Sequence, residues 1–246
     1  MEISKYPVVN GKFIKRRNRF VAEILLALTN QKVEAHVPNT GRMRELLTND
    51  AEVGLAYCPS PTRKTDYTLI TVRYQNIWVC IDAIAANRLV YEYLSQQKDV
   101  RRLRREVTYR DSRFDLARED GKGFGYIEVK SVNLVHITQD HRHRCACFPD
   151  APTKRGTKHI KELTSGLKEH QNNALYFVVQ RNDADCFVPN RSTDPEFSQA
   201  FIKARQEGLA IHVLLCDVTI DQMNVIKEIP VYALDDKGNI TKGNYD

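Results

Sequence analysis

The hydrophobic period of this chain changes once, near Asp82, and the change divides it into two kinds of structure. Upstream, apolar side chains alternate with their neighbours. Phe20, Ala22, Ile24, Leu26 and Leu28 fall on one side of an extended run. Val33, Ala35 and Val37 stand opposite a polar row of Lys32, Glu34 and His36. Pro38-Asn39-Thr40-Gly41 breaks that run, and Thr40 is placed to cap a short helix over Arg42–Leu47. Further strands are predicted at Val53–Tyr57, Tyr67–Tyr74 and Ile77–Ile81. Short strands with a small helix between the third and fourth predict a five-stranded Greek-key barrel of the OB type over residues 1–81.

Downstream, over 82–246, the pattern is that of an α/β domain. Ala83–Gln97 has good helix formers, no Pro and no Gly. Short strands follow at Glu106–Tyr109, Arg113–Leu116 and Phe124–Val132, then a long loop and a helix over Lys158–Glu169. Ala174–Val179 reads as a buried strand. Asp194 caps a second helix with Pro195 in its first turn and Gly208 past its end, and Leu209–Leu215 is a further strand. Helix, three strands, helix, strand is an α/β core with a mixed sheet.

The chemistry concentrates in the middle of that core. Glu128 and Lys130 are two apart, so a strand points them to one side. Asp115 lies on the preceding run and can face them if Gly121, Gly123 and Gly125 allow a hairpin. Two carboxylates hold a hard divalent cation, Mg2+ or Mn2+, through oxygen. The Val129 carbonyl can complete the shell, and Glu92 on the preceding helix can lend a third carboxylate. The Lys130 ammonium can orient or activate a water, or steady the charge of a phosphoryl transition state. An isolated Glu-x-Lys is most often a solvated surface pair; the acid on a separate strand and the glycine turn favour a site.

With 246 residues the chain can form one large domain or two small ones, and 42% hydrophobic residues supply a core. No apolar run is long enough to span a membrane, and the start lacks the apolar stretch of a signal peptide, so a cytoplasmic protein with six thiols is expected. The net charge of +6 is mild, but the basic residues cluster: Lys12–Arg19, Arg101–Arg105, and Arg142–Lys161. Such clusters flanking an acidic site favour a nucleic-acid track.

The layout over roughly Asp82–Leu215 resembles the PD-(D/E)xK nuclease superfamily. In its motif the Asp falls on Asp115 and the Glu-x-Lys on Glu128-Val129-Lys130; the Pro expected before the Asp is replaced by Phe114. The resemblance implies a supporting polar residue at the end of the fourth strand, where Gln180 stands. A closer likeness runs along nearly the whole chain. His36-Val37-Pro38-Asn39-Thr40-Gly41-Arg42-Met43, and Phe148-Pro149-Asp150-Ala151-Pro152-Thr153-Lys154-Arg155-Gly156 with Lys158-His159, resemble signatures of the sugar fermentation stimulation protein A (SfsA) family. That likeness implies an OB-like domain, a nuclease-like domain and DNA binding without strong sequence preference.

Read from the residues alone, the first segment is a turn, with Arg42 and Arg44 reaching phosphate from a helix start if it has a function beyond a barrel corner. In the second, Lys154, Arg155 and Lys158 would meet the backbone of an entering strand, as Arg16 and Arg17 would from the barrel. Asp150 reads as a cap or loop residue, with metal ligation the alternative, and His159 as a surface residue rather than a support of the site. His141, His143, Cys145 and Cys147 alternate in a way that suggests zinc, but an extended run spreads them over about 20 Å, at ~3.3 Å per residue; a loop would weaken that objection. The expected activity is metal-dependent phosphodiester hydrolysis of double- or single-stranded DNA, with RNA possible and a homodimer possible. The alternative is a non-catalytic, non-specific DNA-binding regulator, linked to sugar metabolism as the name of the resembled family implies.

Overall fold

The computed structural model describes residues 1–138, 141–234 and 240–241. The domain expected over 82–246 therefore includes residues 235–239 and 242–246, which lie outside the described residues. No described helix is long and apolar enough to cross a membrane.

The first third is a barrel. Its strands are β1 (Val8–Asn18), β2 (Val21–Leu26), β3 (Lys32–His36), β4 (Glu52–Tyr57), β5 (Tyr67–Tyr74) and β6 (Ile77–Cys80). They pair antiparallel in the order β3-β2-β1-β4-β5-β6, and a short parallel pairing of β3 with β5 closes a ring of five. Ala22, Ile24, Ala35, Val53, Leu55, Leu69 and Val72 fill it. Ala22, Ile24 and Leu26 point inward as expected, but Phe20 is 42% exposed and Leu28 95%, because both lie in the turns at the ends of β2.

Two expectations need correction here. β1 is a full strand that periodicity did not reveal, because only Gly11 and Phe13 of its eleven residues are buried and its outer positions carry the basic cluster. Gly11 has no alternative at its position: a Cβ there would sit 2.6 Å from Ile24 Cγ2. The helix expected over 42–47 is only a turn. Met43 adopts a left-handed φ of 44°, and its carbonyl accepts from the N–H groups of Leu46 and Leu47.

The second unit begins with α1 (Ala83–Ser95), capped by the Asp82 carboxylate, which accepts from Ile84 N at 2.9 Å. Then come β7 (Arg102–Tyr109), β8 (Ser112–Asp120), β9 (Gly123–Val132), β10 (Val135–Ile137), β11 (Arg144–Phe148), α2 (Lys154–Gly166), β12 (Ala174–Val179), β13 (Cys186–Pro189), α3 (Pro195–Gln206), β14 (Ala210–Val218) and β15 (Met223–Glu228). The main sheet runs β15-β14-β12-β9-β8-β7, parallel through β9, β12 and β14 and antiparallel elsewhere. The apolar residues of α1 pack on one face with Ile127, Val129, Tyr176 and Val178; α2 and α3 cover the other with Leu175, Phe177 and Val179. Alternate residues of β12 therefore serve opposite cores, which explains its unbroken apolar run. The expected long loop contains β10 and β11, which join β13 in a small side sheet. α2 starts earlier than expected, at Lys154, because Thr153 caps it by accepting from Gly156 N at 3.0 Å.

The barrel and the α/β unit are bound together. Cys80 N donates to Gln180 O at 3.0 Å, and Ile3 N donates to Asp221 O at 2.7 Å. Ile3, Ala56, Ile70 and Cys80 share a core with α1.

Candidate metal centre

β8 and β9 form a ladder from Asp120↔Gly123 to Leu116↔Ile127 and pair no further. The glycine turn expected between them is present, with Gly123 at a φ of +119°. Beyond Leu116 the strands part, and the next residues on either side are Asp115 and Glu128. A β9 N–H released by that parting needs an acceptor. Asp115 supplies it: its Oδ2 accepts from Val129 N at 2.8 Å, and its Oδ1 accepts from Asn87 Nδ2 of α1 at 2.6 Å. One carboxylate therefore repairs the gap in the ladder and ties it to α1.

Glu128 is buried from the other side. Its Oε1 accepts from Lys130 Nζ at 2.5 Å and from His159 Nδ1 at 2.6 Å. Arg155 Nε lies 3.4 Å from His159 Nε2. Arginine can only donate, so Nε2 carries the lone pair and Nδ1 the proton. Glu128 Oε2, in contrast, is buried without a hydrogen-bond partner. Burial alone would raise the Glu128 carboxyl, but Lys130 and His159 outweigh it and hold it below its usual range. Asp115 moves the opposite way. Burial, then the neighbouring Glu128 charge, push it up to about 6 against the opposing pulls of Val129 N–H, Lys130 and Asn87. The pair is thus one acid held charged and one strained toward its neutral form, which is the electrostatics of a place short of one positive charge.

Both acids and Lys130 line a recess of about 360 Å³, with Val129, Asn133 and Asp150. The barrel forms part of its wall through Asn39, Thr40 and Gly41. That turn is held from within the barrel: Arg16 donates to the carbonyls of Gly41 at 2.6 Å, Asn39 at 2.7 Å and Arg19 at 2.6 Å. It is held from outside by Asn39 Nδ2, which donates to Asn133 Oδ1 at 3.2 Å.

The expected residues divide accordingly. Asp115, Glu128, Val129 and Lys130 come together. Glu92 does not join them. It stands five positions after Asn87, about 140° farther round α1 at ~3.6 residues per turn, and lines a separate groove with Met1, Asn224 and Glu228. Gln180 lies beneath the site rather than in it: its Nε2 donates to Asp82 O at 2.9 Å and its Oε1 accepts from Ser131. Arg16 is a brace of the turn and not a phosphate contact, since its terminal nitrogens are occupied by carbonyls. Arg17 is exposed and paired with Glu34 and Glu23. Arg42 and Arg44 are exposed on the turn, and Lys154, Arg155 and Lys158 on the first turns of α2. His159 is buried against Glu128, not on the surface. Its signal was available: with α2 begun at Lys154, His159 shares the stripe of Gly156, Ile160 and Leu163. Asn87 carried no comparable signal. Cys145 and Cys147 turn inward against Cys186 and Val188, and among the described residues no group of three or more His, Cys, Asp or Glu is gathered for a metal, so β11 holds no zinc set.

Residues 14–81 match the family described as SfsA N-terminal OB domain, and residues 84–222 match Sugar fermentation stimulation protein RE domain. The chain belongs to the SfsA family. Members from Acetivibrio thermocellus and Alkaliphilus metalliredigens, each described as a sugar fermentation stimulation protein homolog, are 44% and 42% identical; each match covers 91% of this chain and 96% of the relative. Among solved structures, that of Pyrococcus furiosus SfsA in complex with Ca2+ superposes with a TM-score of 0.79, covering 94% of this chain and 99% of the other. At 24% identity it shows the SfsA fold.

Proposed function

We propose that this SfsA protein is a divalent-metal-dependent nuclease that hydrolyses phosphodiester bonds with little sequence specificity. The observation that carries the reading is Glu128 Oε2, buried and unpartnered beside an Asp115 carboxyl pushed up to about 6. An isolated buried carboxylate oxygen costs free energy unless something positive meets it. A hard cation, Mg2+ or Mn2+, fits that oxygen set. The Pyrococcus furiosus protein was solved in complex with Ca2+, a cation of the same kind, which supports the assignment.

Asp115 and Glu128 Oε2 would hold the ion, with the Val129 carbonyl as a further oxygen. A bound ion of this kind polarises phosphoryl oxygen and lowers the pKa of water. The protein's own groups do the remainder. His159 and Lys130 fix Glu128 through Oε1 and leave Oε2 without a partner. Lys130 Nζ, its side chain 15% exposed, is the one ammonium lining the recess among the described residues and is placed to orient the attacking water or offset charge on a reacting phosphate. Arg42, Lys154 and Lys158 would hold the nucleic-acid backbone, so binding should weaken with salt.

A DNA-binding regulator with an idle site is the second reading, and the family's name favours it. Incubating plasmid and single-stranded DNA with Mg2+ or Mn2+ separates the two. Cleavage by the wild type that is lost in Asp115→Ala and Lys130→Ala supports the nuclease. DNA binding without cleavage in all three proteins supports the regulator.

A further inference from the structure

We propose that the site takes a single strand, or the unpaired end of a duplex, and not the interior of an intact duplex. This rests on the nuclease reading above and specifies its substrate.

The first ground is depth. The Glu128 side chain is 5% exposed, at the bottom of the recess. The second is the wall. Asn39 is bonded to Asn133, and Gly41 is pressed so close to Asp150 that a Cβ on it would lie 2.1 Å from Asp150 Oδ2. The barrel turn and the segment after β11 therefore meet across one side, and the 360 Å³ between them and the acids matches a small-molecule site. A duplex carries its phosphates on the outside of a stiff rod, with a persistence length of about 150 base pairs. Bringing one phosphate of such a rod to acids this buried requires bending or unstacking it, at a cost in free energy. A single strand rotates about each backbone bond and avoids that cost.

The third ground is the chemistry of the rim. Ile84, in the first turn of α1, lines the recess and is 65% exposed. Duplex backbone offers sugar and charge to such a side chain. An unstacked base offers an apolar face that such a side chain can cover. Arg42 follows Gly41 on the turn and its charge acts on Asp150, which lines the recess, whereas Lys154 lines a separate groove along α2. A base against Ile84 and a flanking phosphate toward Arg42 would carry a strand across the two acids.

The test uses one labelled sequence in four forms: single-stranded DNA, single-stranded RNA, blunt duplex DNA, and duplex DNA with a single-stranded tail. Binding is read by fluorescence anisotropy in Ca2+, and cleavage in Mn2+. The single-stranded and tailed forms should be bound and cut at least about 10-fold better than the blunt duplex, and the RNA arm identifies which polymer is preferred. Ile84→Ser should weaken single-strand binding by roughly 3- to 10-fold, the scale of losing part of one aliphatic contact with a base. It should leave the melting temperature nearly unchanged, since the side chain is 65% exposed. Equal or better binding and cleavage of the blunt duplex would overturn the proposal, as would unchanged single-strand binding by Ile84→Ser. If single strands bind preferentially through Ile84 but nothing is cut, the nuclease reading fails and the strand preference stands.

Discussion

Two of the buried charged clusters in the α/β unit are built on opposite principles. Around Arg181, which is 1% exposed, everything is satisfied. Its Nε and a terminal nitrogen donate to the two oxygens of Asp183 at 2.5 and 2.7 Å, and its other terminal nitrogen donates to Asn133 O at 3.0 Å. The guanidinium stands 4.9 Å from the Tyr74 ring centre, so it also ties the barrel to the sheet. Asp183 is held below its usual carboxyl range because Arg181, helped by Arg144, outweighs its burial. Around Glu128 the same residue types leave an oxygen unmatched and a second acid, Asp115, pushed up. A closed cluster stabilises; an open one waits for a ligand. The difference separates structure from function within one sheet.

That contrast can be broken in several ways, the largest effect first. Truncating Asp115 or Lys130 to Ala should lower metal-dependent cleavage by about 1,000-fold, the scale of losing a group that stabilises a transition state, and should also lower the thermal midpoint, since Asp115 accepts from Val129 N and Lys130 pairs with the buried Glu128. Arg181→Ala should cost stability alone. Removing one partner of a buried ion pair costs about 3–5 kcal/mol, visible as a lower denaturant midpoint, while the protein that remains folded keeps its Mn2+ affinity. Were Arg181→Ala to abolish metal uptake in folded protein, the two clusters would not be separable.

His159 sharpens the comparison, since it is a buried partner that belongs to the open cluster. His159→Ala should reduce metal affinity or cleavage by about 10- to 100-fold, as loss of a group that orients a metal ligand does. His159→Gln, which can still donate to Glu128 Oε1, should restore part of it. A merely structural histidine would show lost stability with no effect of the glutamine on metal titrations.

The smallest effect concerns stability and pH. The Asp115 carboxyl rises from an ordinary 3.8 to about 6 on folding. Between those values the folded chain binds the extra proton, so this group's favourable contribution is complete below pH 3.8 and is lost as pH rises through 6. At pH 7.5 without metal, Asp115→Asn should therefore be more stable than the wild type by about 1–3 kcal/mol, at ~1.4 kcal/mol per pKa unit. The gain should shrink toward zero near pH 4, and thermal melts across that range measure it.

Much of this was legible in the sequence because period and chemistry agreed there. Alternation over Val21–Leu26 and the unbroken run of Ala174–Val179 announced a half-buried and a fully buried strand, and both are present. Asp115, Glu128 and Lys130 converge because strand spacing alone sets two of them on one side and the glycine turn returns the third. What failed did so where long-range contacts decide. Charged outer positions hid β1. Glu92 was acidic and on the right helix, but only Asn87 lies on the face that meets β8, and a helix face cannot be assigned before its partner is known. Arg16 looked like a phosphate contact because nothing local shows that the carbonyls of Asn39 and Gly41, with that of Arg19, will surround it. The barrel's share in the wall, through Asn39 and Gly41, was invisible for the same reason.

The central claim is that Glu128 Oε2 and Asp115 share one divalent ion, and calorimetric titration with Mn2+ tests it most directly. The wild type should take up one ion per chain, and Glu128→Gln, which keeps the shape but removes the charge, should take up none while staying folded, with a melting temperature below that of the wild type because the fold favours the Glu128 charge. Absence of uptake by the wild type, or equal uptake by Glu128→Gln, would contradict the account.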